Sequence, residues 1–245
     1  MDAMKKSTMS PLIVALDVPE ATEALRAVDQ LSGQVDVFKV GLQLFTKEGP
    51  GIVDEIVRRG KKVFVDLKLH DIPNTVESAL ENLISPGVEF LTIHGLGGRE
   101  MLGSAAGILA RFREQNPKIS TKILCVTVLT SLDDEDLNEV GIDHSTAGEV
   151  LNLARLAIGC GIEGVVASPE EVPILRQQLG RDLVIVTPGV RMAGDDAGDQ
   201  KRVATPARAI ADGANFVVMG RSLITQSRPA DVAKRVLESL ESPAA

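Results

Sequence analysis

Eight short runs rich in β-branched residues alternate with longer segments of helical periodicity, and this alternation restricts the possible folds more than any other feature of the sequence. The runs are almost continuously apolar, which is typical of parallel strands covered by helices. The predicted strands are 12–17, 37–41, 62–69, 89–95, 122–129, 163–168, 183–189 and 215–221. Eight such units predict an α/β fold of the (β/α)8 or TIM-barrel type. A doubly wound open sheet is the alternative, but the sequence has no G-x-G-x-x-G or P-loop motif to support it.

The domain organisation follows from length and composition. The chain has 245 residues, enough for one such barrel, and no linker or low-complexity tract divides it. We expect a single domain over residues 1–245, with residues 1–10 as a flexible N-terminus. The short, polar N-terminal stretch argues against a signal peptide or a membrane span. Cys125 and Cys160 lack the spacing of a disulfide framework or a zinc site, so we expect a cytoplasmic protein.

The charge balance excludes some partners. The formal net charge is -8, so the surface has no excess of Lys and Arg to neutralise phosphates. We therefore expect no nucleic acid and no membrane as partners, and any anionic ligand must be attracted locally.

The third predicted strand, KVFVDLKL, breaks the rule for buried strands because charges occupy its second half. Side chains alternate along a strand, so Val63 and Val65 would face the helices while Phe64, Asp66 and Lys68 point into the barrel. These charges lie at the C-terminal end of the strand, where (β/α)8 barrels build their active sites. A structural ion pair is the alternative, but desolvating a buried pair costs about as much as the pair returns. We therefore predict a functional site.

Other strand ends add to this group. Asp17 ends the first predicted strand and Lys39 lies near the end of the second, so Asp17, Lys39, Asp66 and Lys68 are expected to meet at one barrel mouth. Asp71 follows in the loop. A lysine among carboxylates keeps its proton near neutral pH, so it suits general acid catalysis and not Schiff-base formation.

A second group of candidate residues lies near the C-terminus. The Gly-rich segment 186–206 follows the seventh predicted strand, and Gly220, Arg221 and Ser222 follow the eighth. Loops after strands seven and eight form the recurrent phosphate site of these barrels. Arg221 would contribute a bidentate contact and Gln200 a neutral donor. The alternative for Arg221 is a solvated surface side chain.

Seven motifs occur in an order similar to that of the bacterial-type orotidine 5'-phosphate decarboxylases. They are LDV, FKVG, DLKLHDIPNT, VLTSL, TPGVR, the DQ of GDQKR, and VMGRSL. They extend from residue 16 to about residue 223, so the resemblance covers nearly the whole chain. It implies a homodimeric (β/α)8 barrel that converts orotidine 5'-phosphate to UMP and carbon dioxide in de novo pyrimidine biosynthesis, with no metal or organic cofactor.

The resemblance also implies roles for individual residues. It implies an alternating tetrad of Lys39, Asp66, Lys68 and Asp71 in which Lys68 donates the proton. The implied substrate contacts are Asp17 and Lys39 at the ribose, Thr130 at the pyrimidine ring, Arg191, Gln200 and Arg221 at the phosphate, and Asp71 and Thr75 in the neighbouring subunit's site. Gly220, in the loop after the eighth strand, is added to the phosphate contacts on its position.

Two other functions stay open at this stage. A sugar-phosphate decarboxylase or aldolase of the same superfamily also has a D-x-K-x-x-D pattern but works with magnesium, so a chelator would distinguish it. A non-catalytic barrel that senses a nucleotide phosphate is the second, although binding alone does not require buried charge. We assign no role to His70, His94 or His144, since a lone histidine in such a position is more often structural.

Overall fold

The computed structural model describes residues 9–192 and 204–241, and it forms a closed barrel of eight parallel strands. Each strand pairs with the next, and β8 pairs with β1. The strands are β1 Leu12–Ala15, β2 Val37–Gly41, β3 Lys62–Leu69, β4 Val88–His94, β5 Lys122–Val126, β6 Gly164–Val166, β7 Val184–Thr187 and β8 Phe216–Met219. The predicted (β/α)8 barrel is confirmed. Residues 1–8 of the expected flexible N-terminus lie outside the described residues.

Helices cover the outside of the barrel. They are α1 Ala21–Leu31, α2 Leu42–Glu48, α3 Gly51–Arg58, α4 Pro73–Leu83, α5 Gly98–Gln115, α6 Asp134–Glu139, α7 Thr146–Gly159, α8 Val172–Leu179, α9 Pro206–Ala211, α10 Arg221–Ile224 and α11 Pro229–Glu241, with 3-10 turns at Gly95–Gly97 and Pro169–Glu171. In the part of the chain that the structure describes, none of them has the length and apolar character of a membrane span.

The barrel interior is a packed core toward the N-terminal ends of the strands. Phe90 lies at its centre, with ring centroids 5.7 Å from Phe64 and 5.3 Å from Phe216 in edge-to-face geometry. Smaller apolar side chains such as Ile13 and Leu124 fill the remaining space. The packed rings close the lower part of the barrel, so open space is left toward the C-terminal ends of the strands.

A second core lies between the strands and the helices. Val63 and Val65 of β3 belong to it, as the alternation of that strand predicts. Helix α1 buries Ala24, Val28 and Leu31 against it, positions that share one helix face. This outer layer fixes each strand from behind, so the side chains that point inward are held on a rigid scaffold.

Six of the eight strands end one to three residues earlier than predicted, at the C-terminal mouth, and three of these ends bear on the site. β1 ends at Ala15 instead of residue 17, β5 at Val126 instead of 129, and β8 at Met219 instead of 221. Beyond these residues the chain leaves the ladder, and Asp17, Thr130 and Arg221 line a cavity. The polar ends of the predicted strands are therefore part of the site instead of the sheet.

Candidate active site

A cavity of about 330 Å³ opens at the C-terminal end of the barrel. Its volume is in the range of small-molecule sites. Phe64, Val126, Val166 and Val218 contribute an apolar part of its lining, and charged side chains from β2, β3 and the loops contribute the rest. A cavity with apolar surface and a few converging charges can bind a small ligand and place charged groups against one part of it.

Four side chains form a continuous series of alternating charge in this cavity, which we call the charge chain: Asp17, Lys39, Asp66 and Lys68. The Nζ atom of Lys39 lies 3.1 Å from Asp17 Oδ1 and 3.4 Å from Asp66 Oδ2. The Nζ atom of Lys68 lies 3.0 Å and 2.9 Å from the two oxygens of Asp66. The predicted meeting of these four residues is therefore observed, with Asp66 bridging two lysines.

The electrostatics of the charge chain keep its buried members ionised. Burial opposes the charge on Asp66, but Lys39 and Lys68, with hydrogen bonds from Lys68 and Thr92, outweigh it and leave the pKa of Asp66 below its usual value. Burial likewise opposes the charge on Lys39, but Asp66 and Asp17 outweigh it and the pKa of Lys39 is raised. Lys39 and Asp66 are thus both charged at neutral pH, although their side chains are only 12% and 11% exposed.

Gly41 leaves room for the first pair of the charge chain. A Cβ atom at this position would lie 2.9 Å from Lys39 Nζ and 3.1 Å from Asp17 Oδ1. Any larger residue would have to displace the Lys39 ammonium group from its contact with Asp17. The close approach of the backbone to this pair explains a glycine at the end of β2.

The strand that carries Asp66 and Lys68 is irregular, which the alternation pattern did not predict. Val65 pairs with Leu91 and Leu69 with Ile93, so residues 66–68 of β3 lie opposite the single residue Thr92 of β4. Lys68 is in the left-handed region with φ 51°, and among the described residues it is the one non-glycine residue with positive φ. Backbone strain of this kind concentrates at functional sites.

Thr92 is a site residue that the sequence reasoning missed. It is buried, its hydroxyl donates to Asp66 Oδ1 at 3.0 Å, and it accepts the backbone N–H of Lys68 at 2.9 Å. Its position in the sequence could have identified it. Thr92 comes two residues after the inward-facing Phe90, so its side chain is expected to point into the barrel as well, nearer the C-terminal end of the strand.

Arg191, Gly220 and Arg221, which were predicted at a phosphate, line the same cavity. Thr130, which was predicted at the pyrimidine ring, lines it as well. The guanidinium of Arg191 donates to the backbone carbonyl of Val190 at 2.9 Å, and its backbone N–H donates to Ala204. Gln200 lies outside the described residues, as does most of the loop that carries it.

Asp71 and Thr75 do not line the cavity of their own chain. Both are exposed, and the Asp71 carboxylate accepts the backbone N–H of Ile72 at 2.7 Å.

His70 and His94 stack at the same edge of the barrel with ring centroids 5.4 Å apart. Burial, His70 and Lys68 lower the pKa of His94 to about 4, so His94 is neutral at pH 7.

Within residues 9–192 and 204–241, no three or more His, Cys, Asp or Glu side chains are grouped as a metal site. The expectation of a metal-free site stays a prediction.

Comparison with protein families gives one match that spans most of the chain. The model of the "Orotidine 5'-phosphate decarboxylase / HUMPS family" matches residues 10–236. A curated orotidine 5'-phosphate decarboxylase from Moorella thermoacetica is 45% identical over 231 residues, 94% of this chain and 92% of the relative. Another from Syntrophotalea carbinolica is 45% identical over 229 residues and covers 94% of each chain.

Solved structures agree with these matches. A crystal structure of orotidine 5'-phosphate decarboxylase from Lactobacillus acidophilus superposes with a TM-score of 0.80 at 34% identity, covering 95% of this chain and all of that one (100%). A crystal structure of an uncharacterized conserved protein from Geobacillus kaustophilus gives a TM-score of 0.82 at 33% identity, covering 94% and 100%.

Proposed function

Because the chain belongs to the orotidine 5'-phosphate decarboxylase / HUMPS family, we propose that it decarboxylates orotidine 5'-phosphate to UMP and carbon dioxide in de novo pyrimidine biosynthesis. The observation that carries this proposal is the charge chain, which presents Lys68 to a cavity with apolar surface at the C-terminal end of the barrel. Neither a sensor nor a purely structural barrel needs this arrangement.

The chemistry requires a cation at one carbon of the pyrimidine. When the bond to the carboxylate breaks, carbon dioxide leaves and its electron pair stays on an sp² ring carbon. A fixed ammonium aimed at that carbon stabilises the developing charge and then protonates it. In our proposal Lys68 gives this proton to the ring carbon and regains one from water.

Asp66 and Lys39 serve Lys68 in this mechanism. Asp66 accepts hydrogen bonds from the Lys68 ammonium through both carboxylate oxygens, which holds the donor in one place. Lys39 contacts the same carboxylate from β2 and also reaches Asp17. We propose that Asp17 and Lys39 bind the ribose hydroxyls, since both line the cavity beside Lys68.

The phosphate end of the substrate is proposed to lie at Arg191 and Arg221, with Gly220 beside them and Gln200 contributed by the loop. Two guanidinium groups line the cavity there, and planar guanidinium groups suit phosphate oxygens. Phosphate binding far from the reacting carbon supplies energy that orders the site. Thr130 lies on the cavity wall and is proposed to contact the pyrimidine ring.

We also propose a homodimer in which Asp71 and Thr75 complete the partner's site. Three exposed apolar side chains support this interface: Leu42 after β2, Ile72 after β3 and Leu96 after β4, exposed by 55%, 67% and 49%. They follow three adjacent strands at the barrel mouth, a position at which exposed apolar side chains would suit an interaction surface. Asp71 and Thr75 are close to Ile72 in the sequence. An interface formed by Ile72 would therefore place both residues next to the neighbouring subunit.

The proposed setting is the cytoplasm, with no metal or organic cofactor. Cys125 and Cys160 are both free thiols, as suits a reducing compartment.

A chelator tests whether the reaction needs a metal. Activity on orotidine 5'-phosphate that survives exhaustive EDTA treatment supports a metal-free reaction. Loss of activity that magnesium restores would favour the sugar-phosphate decarboxylase or aldolase class instead.

The test of the function is direct. Purified protein is mixed with orotidine 5'-phosphate and the ultraviolet absorbance of the pyrimidine is followed; the chain has no Trp or Tyr to obscure it. We expect the spectrum to change to that of UMP. An unchanged spectrum with folded protein would rule out the proposed activity.

A further inference from the structure

Thr92 occupies a position that needs an explanation beyond packing. It is 1% exposed, on the inward face of β4, where its neighbour on that face is the aromatic Phe90. A hydroxyl buried among apolar side chains is costly unless it is hydrogen-bonded. The Thr92 hydroxyl makes two hydrogen bonds here: its oxygen accepts the backbone N–H of Lys68, and its proton is donated to the carboxylate of Asp66.

The bulge in β3 explains why the backbone of Lys68 needs this partner. Where residues 66–68 lie opposite one residue of β4, the regular ladder is interrupted. An N–H group left without an acceptor in the interior is destabilising. The Thr92 hydroxyl accepts this N–H at 2.9 Å and stands in for the missing carbonyl.

The same hydroxyl fixes the other half of the pair. Thr92 donates to Asp66 Oδ1, the oxygen that also accepts from the Lys68 ammonium at 3.0 Å. A closed circuit results: Lys68 main chain to Thr92, Thr92 to Asp66, and Asp66 to the Lys68 side chain. Each of these hydrogen bonds restrains the position of the Lys68 Nζ atom. Together they hold Lys68 in a backbone conformation that is otherwise strained.

We propose that Thr92 is a positioning residue that holds the β3 bulge in place and thereby aims the Lys68 ammonium into the cavity. The inference rests on the proposed decarboxylation, since it deepens the role of Lys68. Without the hydroxyl, the Lys68 N–H in the bulge loses its hydrogen-bond acceptor, and the left-handed conformation of Lys68 loses the contact that supports it. The backbone of Lys68 would then be free to relax, so its Nζ would no longer be held in one position in the cavity.

The test compares three variants with wild type. Thr92→Val removes the hydroxyl at nearly constant shape, Thr92→Ser keeps it, and Thr121→Val is the matched control. Thr121 is also buried, and its hydroxyl donates to the Val88 carbonyl at 2.7 Å, near the N-terminal ends of β4 and β5. A misplacement on the order of 1 Å can cost ~10²-fold in rate.

We expect Thr92→Val to lower kcat for orotidine 5'-phosphate by about 10- to 100-fold with KM nearly unchanged, because the phosphate contacts are on other strands. Thr92→Ser should restore most of the rate, and Thr121→Val should keep kcat. The acid limb of the pH profile should also move to higher pH in Thr92→Val, because Asp66 loses a hydrogen bond that favours its ionised form. Thr92→Ala replaces Thr92→Val if the latter does not fold.

A crystal structure of Thr92→Val gives a readout independent of turnover: Lys68 should leave the left-handed region, or its Nζ should move away from Asp66. Wild-type kcat in Thr92→Val would overturn the inference, and so would equal losses in Thr92→Val, Thr92→Ser and Thr121→Val. If wild type itself does not act on orotidine 5'-phosphate, the proposed function fails, and the geometry of Lys68 in the variant still decides whether Thr92 holds the bulge.

Discussion

Asp66 and Lys68 form a two-point contact in which both carboxylate oxygens lie within 3.0 Å of the ammonium nitrogen. The same carboxylate also contacts Lys39 at 3.4 Å. Asp66 is therefore the single anion between two cations in a site where water has limited access. We expect the stability of the fold and the position of Lys68, the proposed proton donor, both to depend on it.

Replacing Asp66 should cost far more stability than replacing Asp17, although both contact Lys39. Asp66→Asn leaves two neighbouring lysines in a poorly solvated site without their shared carboxylate, and breaking a buried pair in this way costs about 3–5 kcal/mol. The Asp17 side chain is 43% exposed, so Asp17→Asn should cost less than about 1 kcal/mol. Urea unfolding at pH 7 measures both. Equal losses would mean that the charge chain is not organised around Asp66.

Arg221→Ala should weaken binding of orotidine 5'-phosphate much more than binding of orotidine, because the lost contact exists only with the phosphate. A charge-assisted hydrogen bond contributes about 1.5–3 kcal/mol, or roughly 10- to 100-fold in affinity. Arg228→Ala is the control, an exposed arginine paired with Asp231. Equal loss for both ligands would show that Arg221 supports the loop instead of the anion.

Lys68→Ala and Asp71→Ala should each be nearly inactive alone but regain activity when mixed, if Asp71 acts in the neighbouring subunit. A mixed dimer then has one site with both changes and one with neither. With random pairing, recovery approaches roughly a quarter of wild-type activity per site. The control is Lys68→Ala mixed with Asp66→Ala, which leaves one defect in every site of a mixed dimer and should stay inactive. Proven heterodimers of the first mixture without activity would place Asp71 in its own subunit's site.

His94 should make the protein less stable in mild acid. Its folded pKa of about 4 lies below the ordinary value of 6.5, so between these values the unfolded chain binds a proton that the folded chain does not. The free energy of unfolding therefore falls as pH falls from 6.5 toward 4. His94→Asn, which keeps an acceptor for the Leu96 N–H, should show a shallower fall in urea titrations. Exposed His144→Asn should behave as wild type, and an unchanged slope in His94→Asn would contradict the assignment.

The sequence was sufficient for the barrel and for the charge chain, because both follow from strand periodicity. Alternation along β3 places Asp66 and Lys68 on the inward face, and strand order brings Asp17 and Lys39 beside them. Periodicity could have placed the Thr92 side chain inside the barrel, but it could not predict the bulge that Thr92 contacts, since periodicity carries no information on where two strands lose register. Thr92 also has an unremarkable residue type for a strand.

The partner-dependent residues show a different limit. A single chain places Asp71 at the surface near Ile72, and neither its sequence nor its own cavity reveals a second site for it to enter. That assignment depends on the resemblance and on the exposed apolar rim of Leu42, Ile72 and Leu96. Gln200 lies outside the described residues, so its role also stays a prediction.

The turnover of Lys68→Ala on orotidine 5'-phosphate tests the proposed mechanism most directly. The variant should fold and still bind UMP, since Arg191 and Arg221 are untouched. We predict a kcat more than ~100-fold below wild type, because general acid catalysis alone is typically worth ~10²–10⁴-fold. A folded, UMP-binding variant that kept more than about a hundredth of the wild-type kcat would show that Lys68 is not the proton donor.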